Sequence, residues 1–332
     1  MVDSAIVGSI GRKRICFALT GADGTIRSET VRSYGAATTQ GVSAALIGFQ
    51  RDLGLPALPR HSAFAVPGLV RGDAISITRT HWFLSRSGLE AMLGEPPLVL
   101  NDFAAEAWAL CVAGGHVRES FAGTLAWPIV GPGCYLIVGI TSGLGMAAVH
   151  RCPNGTVTVL STEAGHAGFT GPTPELAGLA AEMFAGRHPV AIEEVISASG
   201  LLAIYTMLAR RAGVAPRART PEDVTRTATT DPIARSACEM LARAFWAQAG
   251  DMVLTVGAWD GLLVTGPVAT AILPYLRQPE TQALFGSSTK FARMLAQVPR
   301  ALVSFENAEL VGLAEALRHN RSATAPATAA IN

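Results

Sequence analysis

The stretch Pro97-Leu98-Val99-Leu100-Asn101-Asp102-Phe103 decides the fold. Its apolar run reads as a buried strand. A helical pattern, Ala104-Ala105-Glu106-Ala107-Trp108-Ala109-Leu110, follows without a linker. A strand that ends in Asn-Asp and feeds straight into a helix is an α/β arrangement. Its carboxyl end is where open α/β sheets bind ligands. Asp102 is there either as a helix N-cap, a position that favours Asp and Asn, or as a functional carboxylate. Glu163-Ala164-Gly165-His166 and Glu193 place further polar groups in apolar surroundings. Together these residues point to a pocket lined with carboxylates and amides, the groups with which proteins hold a sugar.

The first forty residues read as a β-meander. Strands are expected at 5–10, 14–20 and 25–33, with a turn at Gly21-Ala22-Asp23-Gly24. A helix is expected at 41–53, strands at 62–66 and 74–78, and a Ser-capped helix at 85–93. A second strand set is expected at 134–140, 146–151 and 156–160, with the turn Pro153-Asn154-Gly155. The two halves thus share a strand–turn–strand pattern, the trace of two similar α/β domains. Helical patterns follow near 174–185, 199–212 and 232–257, with a surface loop at 213–220. Gly261–Gly266 reads as a strand entering a turn, 301–305 as a last strand, and 308–318 as a last helix. The Ala/Thr-rich end is expected to be disordered.

Composition excludes several classes. The chain has 332 residues, 49% of them hydrophobic and 15% charged. That length suits about two domains. A net charge of +1 argues against a surface built for nucleic acid. No apolar run approaches the ~20 residues of a membrane span, and Met-Val-Asp-Ser has no signal-peptide shape. The five cysteines (16, 111, 134, 152 and 238) are scattered, with no Cys-x-x-Cys pair. Neither a zinc site nor a disulfide framework is indicated, and a reducing cytoplasm is the expected setting.

Gly139-Ile140-Thr141-Ser142-Gly143-Leu144-Gly145 joins two expected strands. Such a turn either wraps a phosphate with backbone N–H groups or is a hairpin needing glycine. It is not a Walker loop, since no Gly-Lys-Ser/Thr follows. Glu163 and His166 lack a nearby third ligand, which argues against a metal site.

The joint order of these motifs is more specific than any one of them. Asn-Asp-Phe after a strand, then Ser-Gly-Leu-Gly, then Glu-x-Gly-His, then Glu193-Glu194-Val195-Ile196-Ser197 with Gly200-Leu201 resembles the bacterial glucokinase family of the hexokinase–actin superfamily. Val66-Pro67-Gly68, Thr78 with Trp82, Gly186-Arg187-His188 and Asn307-Ala308-Glu309-Leu310-Val311-Gly312 extend the likeness over residues 5–318. ROK sugar kinases share Glu-x-Gly-His but carry a cysteine-rich zinc motif that is absent here. The resemblance implies two actin/hexokinase-like (ribonuclease H-like) α/β domains with a cleft between them. The smaller would take residues 1–111, completed by the helix at 306–320, and the larger 112–305, with a tail at 321–332. It implies a cytoplasmic enzyme of glycolysis, and a homodimer. It also implies that Asn101, Asp102, Glu163, His166 and Glu193 contact glucose, and that Asp102 is the base for the 6-hydroxyl. ATP would be the donor, with Mg²⁺ not caged by protein.

The nucleotide side departs from the family. The implied phosphate contacts are Ser9, Gly11, Arg12, Lys13, Ser142, Gly143, Gly145 and Gly266. Where the family opens with Asp-x-Gly-Gly-Thr, this chain has Ser9-Ile10-Gly11-Arg12-Lys13, so the carboxylate that helps organise Mg²⁺ is missing. Gly266-Pro267 stands for Gly-Gly, and Arg79-Thr80 for Asn-His. Three readings follow: an ATP-dependent glucokinase whose Mg²⁺ is held mainly by nucleotide and water, a kinase using another donor such as polyphosphate, and a non-catalytic sugar-binding or regulatory protein.

Overall fold

The computed structural model describes residues 4–35, 38–77, 80, 82–171, 173–185, 187, 189–286 and 290–324, the side chains of 322–324 excepted. Thr78, Arg79, Gly186, His188 and most of the expected tail lie outside the described residues. The chain divides into two compact units, residues 1–115 with 305–332, and residues 116–304.

In the first unit, β1 (Ile6–Ile10), β2 (Arg14–Leu19), β3 (Arg32–Gly35) and β4 (Ser62–Val66) are followed by a two-stranded ribbon of β5 (Ala74–Ser76) and β6 (Phe83–Ser85), and then by β7 (Leu98–Asn101). The main sheet runs β3-β2-β1-β4-β7. β1, β2 and β3 pair antiparallel, whereas β1, β4 and β7 run parallel. Alternation sorts β1 by face. Ile6 and Ile10 join Phe17, Phe64 and the apolar side of α1 (Val42–Asp52) in one core layer. Val7 joins Ala5, Ala63 and Ala65 beneath the C-terminal helix Ala308–Thr324. Ser9 shares the face of Val7, as period-2 geometry requires.

The expected strand at 25–33 is corrected. Only a single bridge, Thr20 with Ile26, forms there, and Ser28–Thr30 is a 3₁₀ turn. Thr30 is buried, and its hydroxyl accepts from Leu19 N at 2.9 Å and donates to Arg27 O at 2.6 Å. Local side-chain bonds have displaced the ladder, and β3 begins only at Arg32. By contrast, α2 (Arg86–Leu93) starts as its spacing predicts, with Ser85 accepting from Gly88 N at 3.0 Å.

β7 delivers α3 (Asp102–Ala109), and the C-terminal helix lies directly against it. A Cβ on Gly312 would stand 1.7 Å from the carbonyl oxygen of Ala105 and 2.9 Å from Ala109 N. Only a residue without a side chain permits that approach.

The second unit repeats the strand plan with β8 (His116–Ala122), β9 (Gly133–Ile140), β10 (Leu144–Arg151), β11 (Val157–Thr162), β12 (Gly261–Thr265) and β13 (Arg300–Ser304). Its order is β11-β10-β9-β12-β13-β8, so five of its six strands follow the order of the first sheet. Helices α4 (Pro174–Met183), α5 (Ile192–Val195), α6 (Ala198–Arg211), α7 (Pro221–Thr227) and α8 (Pro232–Val256) fill the segment between β11 and β12. α8 is central to the core. Its Trp246 is fully buried, with the indole N–H donating to Leu276 O at 2.9 Å. α9 (Pro267–Ala271) follows β12, with Pro267 as a first helical residue, where a missing N–H costs nothing.

The Gly312 contact can be tested. Gly312→Ala should lower unfolding stability by at least the roughly 1–3 kcal/mol that overpacking costs. Urea denaturation measures this, and an unchanged midpoint would mean that the two helices separate freely.

Candidate functional site

Asn101 answers the question raised by the Asn-Asp pair: it, rather than Asp102, caps α3. Its Oδ1 accepts from Phe103 N at 2.9 Å and from Ala104 N at 3.3 Å. Its Nδ2 donates to Gly68 O at 3.2 Å, fastening the strand end to the Val66-Pro67-Gly68 loop. Asn101 is only 7% exposed, so most of its polar capacity is committed to the backbone. Asp102 is the first helical residue and also accepts from Phe103 N, at 2.9 Å.

In the same unit, Ser9 is the last residue on the helix-facing side of β1, and Gly11 N donates to Arg14 O at 2.9 Å to close the following turn. Lys13 and Arg14 are exposed on that turn, and Arg12 is partly so. The Ser9 hydroxyl donates to the carboxylate of Glu309, in the first turn of the C-terminal helix. Burial pushes the Glu309 carboxyl up from its usual range, opposed by the Ser9 bond and by Arg14. Glu106 lies one helical turn beyond Asp102. Burial, then the charges of Glu309 and Asp102, push its carboxyl up to about 8. Carboxylates that act on one another in this way cannot all ionise cheaply, and Glu106 is held towards its protonated form.

The second unit holds the remaining candidates. Glu163 follows β11, and Ala164–His166 form one 3₁₀ turn. His166 Nε2 stands 3.9 Å from Glu163 Oε2, and its Nδ1 stands 3.6 Å from Glu193 Oε1. Glu193, on α5, is the most enclosed of the three, with a side chain 19% exposed against 62% for His166. Leu144 N donates to Glu193 Oε2 at 3.4 Å. A Cβ on Gly143 would come within 2.3 Å of that same oxygen. The β9–β10 turn, Ser142 and Gly143 included, therefore closes on a carboxylate. Gly145 lies within β10, opposite Gly139, and Gly266 precedes α9. Glu194 points elsewhere. It caps α5 through Ala191 N at 2.9 Å and pairs with Arg187.

The structure thus brings together Glu163, His166 and Glu193 with Gly143. In the first unit it collects Ser9, Asp102 and the two glutamates. Sequence reasoning misses Glu106 and Glu309. The signals that could have found them are an i,i+4 carboxylate after Asp102 and the acidic residue within the closing Asn307–Gly312 motif. Among the described residues, no three His, Cys, Asp or Glu side chains gather where they could hold a metal ion. No described helix is long and apolar enough to cross a membrane.

Two mixed α/β units with a shared strand order, one ending a strand in Asn-Asp and the other carrying a Glu–His–Glu set, define a sugar kinase of the actin-like fold. A family model described as Glucokinase matches residues 6–320. The glucokinase of Stenotrophomonas maltophilia (strain R551-3) is 34% identical over 319 residues, covering 93% of each chain. The crystal structure of a glucokinase from an Antarctic psychrotroph superposes with a TM-score of 0.81 at 23% identity, over 96% of this chain and 99% of that one. A ROK-family glucokinase from Streptomyces griseus, in complex with glucose and AMPPNP, gives a TM-score of 0.59 at 18% identity, over 95% and 99%. The chain belongs to the glucokinase family.

The charge cluster predicts a pH dependence. A carboxyl whose pKa is raised on folding favours the folded state while protonated. Its contribution is lost as pH rises from the ordinary carboxylate range towards about 8. Glu106→Gln keeps the neutral shape at every pH. Its stability advantage over the parent should grow by more than about 1 kcal/mol between pH 5.5 and pH 8.5. Thermal melts across that range test this, and a constant difference would place Glu106 in solvent.

Proposed function

We propose that the protein phosphorylates glucose, or a closely related hexose, at its 6-hydroxyl with ATP as donor. It acts as a cytoplasmic enzyme at the entrance to glycolysis. The observation that carries the reading is the convergence of Glu163 and Glu193 on His166 in a member of this family. Carboxylates and an imidazole in one place match a run of adjacent hydroxyls. Polar readout of that kind discriminates strongly once the sugar covers it, because a missing hydroxyl strands its partner. Asn101 adds at most one further N–H to the sugar, given its commitments to Gly68 and the α3 amides. Asp102 accepts the 6-hydroxyl proton as that oxygen attacks phosphorus. A positioned base is worth roughly 10²–10⁴-fold, and positioning and charge stabilisation supply the rest.

Mg²⁺, when bound to the donor phosphates, neutralises charge that develops in transfer. Mg²⁺ usually takes one or two protein carboxylates and fills its remaining positions with water and phosphate. Arg12 and Lys13 on the hairpin support a second reading, a kinase that takes a bare polyphosphate. A third, a sugar sensor without turnover, would keep the Glu–His–Glu set and not the chemistry. A coupled assay with glucose and Mg-ATP, beside calorimetry with glucose alone, separates them. Turnover supports the kinase, and binding without turnover supports the sensor.

Two substitutions test the roles. Glu163→Ala and His166→Ala should each weaken glucose binding by about 1–3 kcal/mol, the cost of leaving a polar partner unpaired. Unchanged affinity in both would move the pocket elsewhere. Asp102→Asn should leave glucose affinity near that of the parent and lower kcat by at least about a hundredfold. Near-normal turnover would remove Asp102 from the role of base.

A further inference from the structure

We propose that Glu309 supplies the negative charge that Ser9 lacks at the end of β1, and that it positions the divalent cation of the phosphoryl donor. The inference rests on the kinase reading above and assigns a residue to its donor side.

The sheet register locates the contact. Ser9 of β1 lies opposite Ala65 of β4, and Ala65 lies opposite Leu100 of β7. The three strands are parallel, so Ser9 and Asn101-Asp102 finish at the same edge of the sheet. Two strand spacings put Ser9 about 10 Å from the start of the Asp102 turn. A donor phosphate lying above these strand ends would be within reach of both. The carboxyl edge of parallel strands is also where such sheets take their ligands.

Glu309 reaches this edge from the far end of the chain. The Ser9 hydroxyl donates to its carboxylate. The helix that carries it is fixed in place by the Gly312 approach to α3, three residues further on. The next residues along the hairpin are Gly11, Arg12, Lys13 and Arg14, the last of which acts on Glu309 electrostatically. A hairpin of cations alone would favour a bare polyanion. A carboxylate set beside those cations repels a bare polyanion and suits one that carries its own divalent cation. Ser9 and Glu309 therefore select a metal-complexed nucleotide over uncomplexed polyphosphate.

The alternative is that Glu309 only clamps the C-terminal helix to the sheet. Glu309→Gln separates the two roles, because the amide oxygen still accepts from Ser9 while the side chain can no longer ionise. Calorimetry with ADP, in the presence and absence of Mn²⁺ and with glucose saturating, reads the effect without turnover. Glu309→Gln should weaken Mn-ADP binding by about tenfold or more, in line with other groups that orient a metal. It should leave metal-free ADP unweakened and glucose affinity within about twofold of the parent. The double variant Ser9→Asp with Glu309→Gln returns a carboxylate to the strand and should regain most of the loss. Thermal melts confirm that each variant is folded. Equal Mn-ADP affinity in parent and Glu309→Gln overturns the inference, as does an equal loss with and without the metal. If the parent phosphorylates glucose and Glu309→Gln is unaltered, this inference alone falls. If the parent binds glucose but no Mn-ADP, the kinase reading and this inference fall together.

Discussion

The seat of the C-terminal helix on the first sheet is the constraint on which the most follows. That helix must lie almost in contact with the α3 backbone, and the sheet beneath it answers with small side chains: Ala5, Val7, Ala63 and Ala65. The opposite face of the same strands carries Ile6, Ile10, Phe17 and Phe64, and it packs with the bulk expected of a core. One sheet thus has a thin side and a thick side. The thin side draws the start of the C-terminal helix to the ends of β1 and β7, where short side chains such as Ser9 can reach it. Since interiors pack to a fixed density, the distance between helix and sheet is set by the residues that separate them. The chemistry at the strand ends inherits that distance.

The second unit solves a related problem differently. Its polar groups are held by a turn. Leu144 N and Gly143 close on Glu193, and His166 stands against both Glu193 and Glu163. The hairpin whose glycines suggest a phosphate wrapper is therefore also a scaffold for a carboxylate. An amide already donating to Glu193 is a poorer donor to anything else, because a backbone N–H carries a single proton.

Much of this architecture is legible in the amino-acid sequence, for a simple reason. Long apolar segments bounded by Gly, Pro or a good cap leave few alternatives. The parallel strands 62–66 and 98–101, and helix α8, are of that kind. The elements that escape are polar and marginal. β8, His116-Val-Arg-Glu-Ser-Phe-Ala122, is an edge strand with most of its residues exposed and an irregular register against β13, so it shows no alternation. At 25–33 the alternation is present but a Thr hydroxyl outcompetes it. α7 falls just beyond an expected loop, although Thr220, Pro221 and Asp223 form a readable capping box. In the candidate site, Asn101, Asp102, Glu163, His166 and Glu193 can be marked individually. The exchange of roles between Asn101 and Asp102 cannot, because it depends on which side chain faces Gly68. Nor can Glu309, since nothing local ties it to a serine near the other end of the chain.

The hydrogen bond between Ser9 and Glu309 spans 300 positions of sequence. Two residues so distant along the chain and so close in space are free to exchange identity over evolutionary time, provided that the group they present together survives. A pattern written for the first hairpin alone would discard any descendant in which the acid had moved to the last helix. It would score as decay what is a relocation. Judging whether such a chain has lost its chemistry requires that the two ends be read as one short segment.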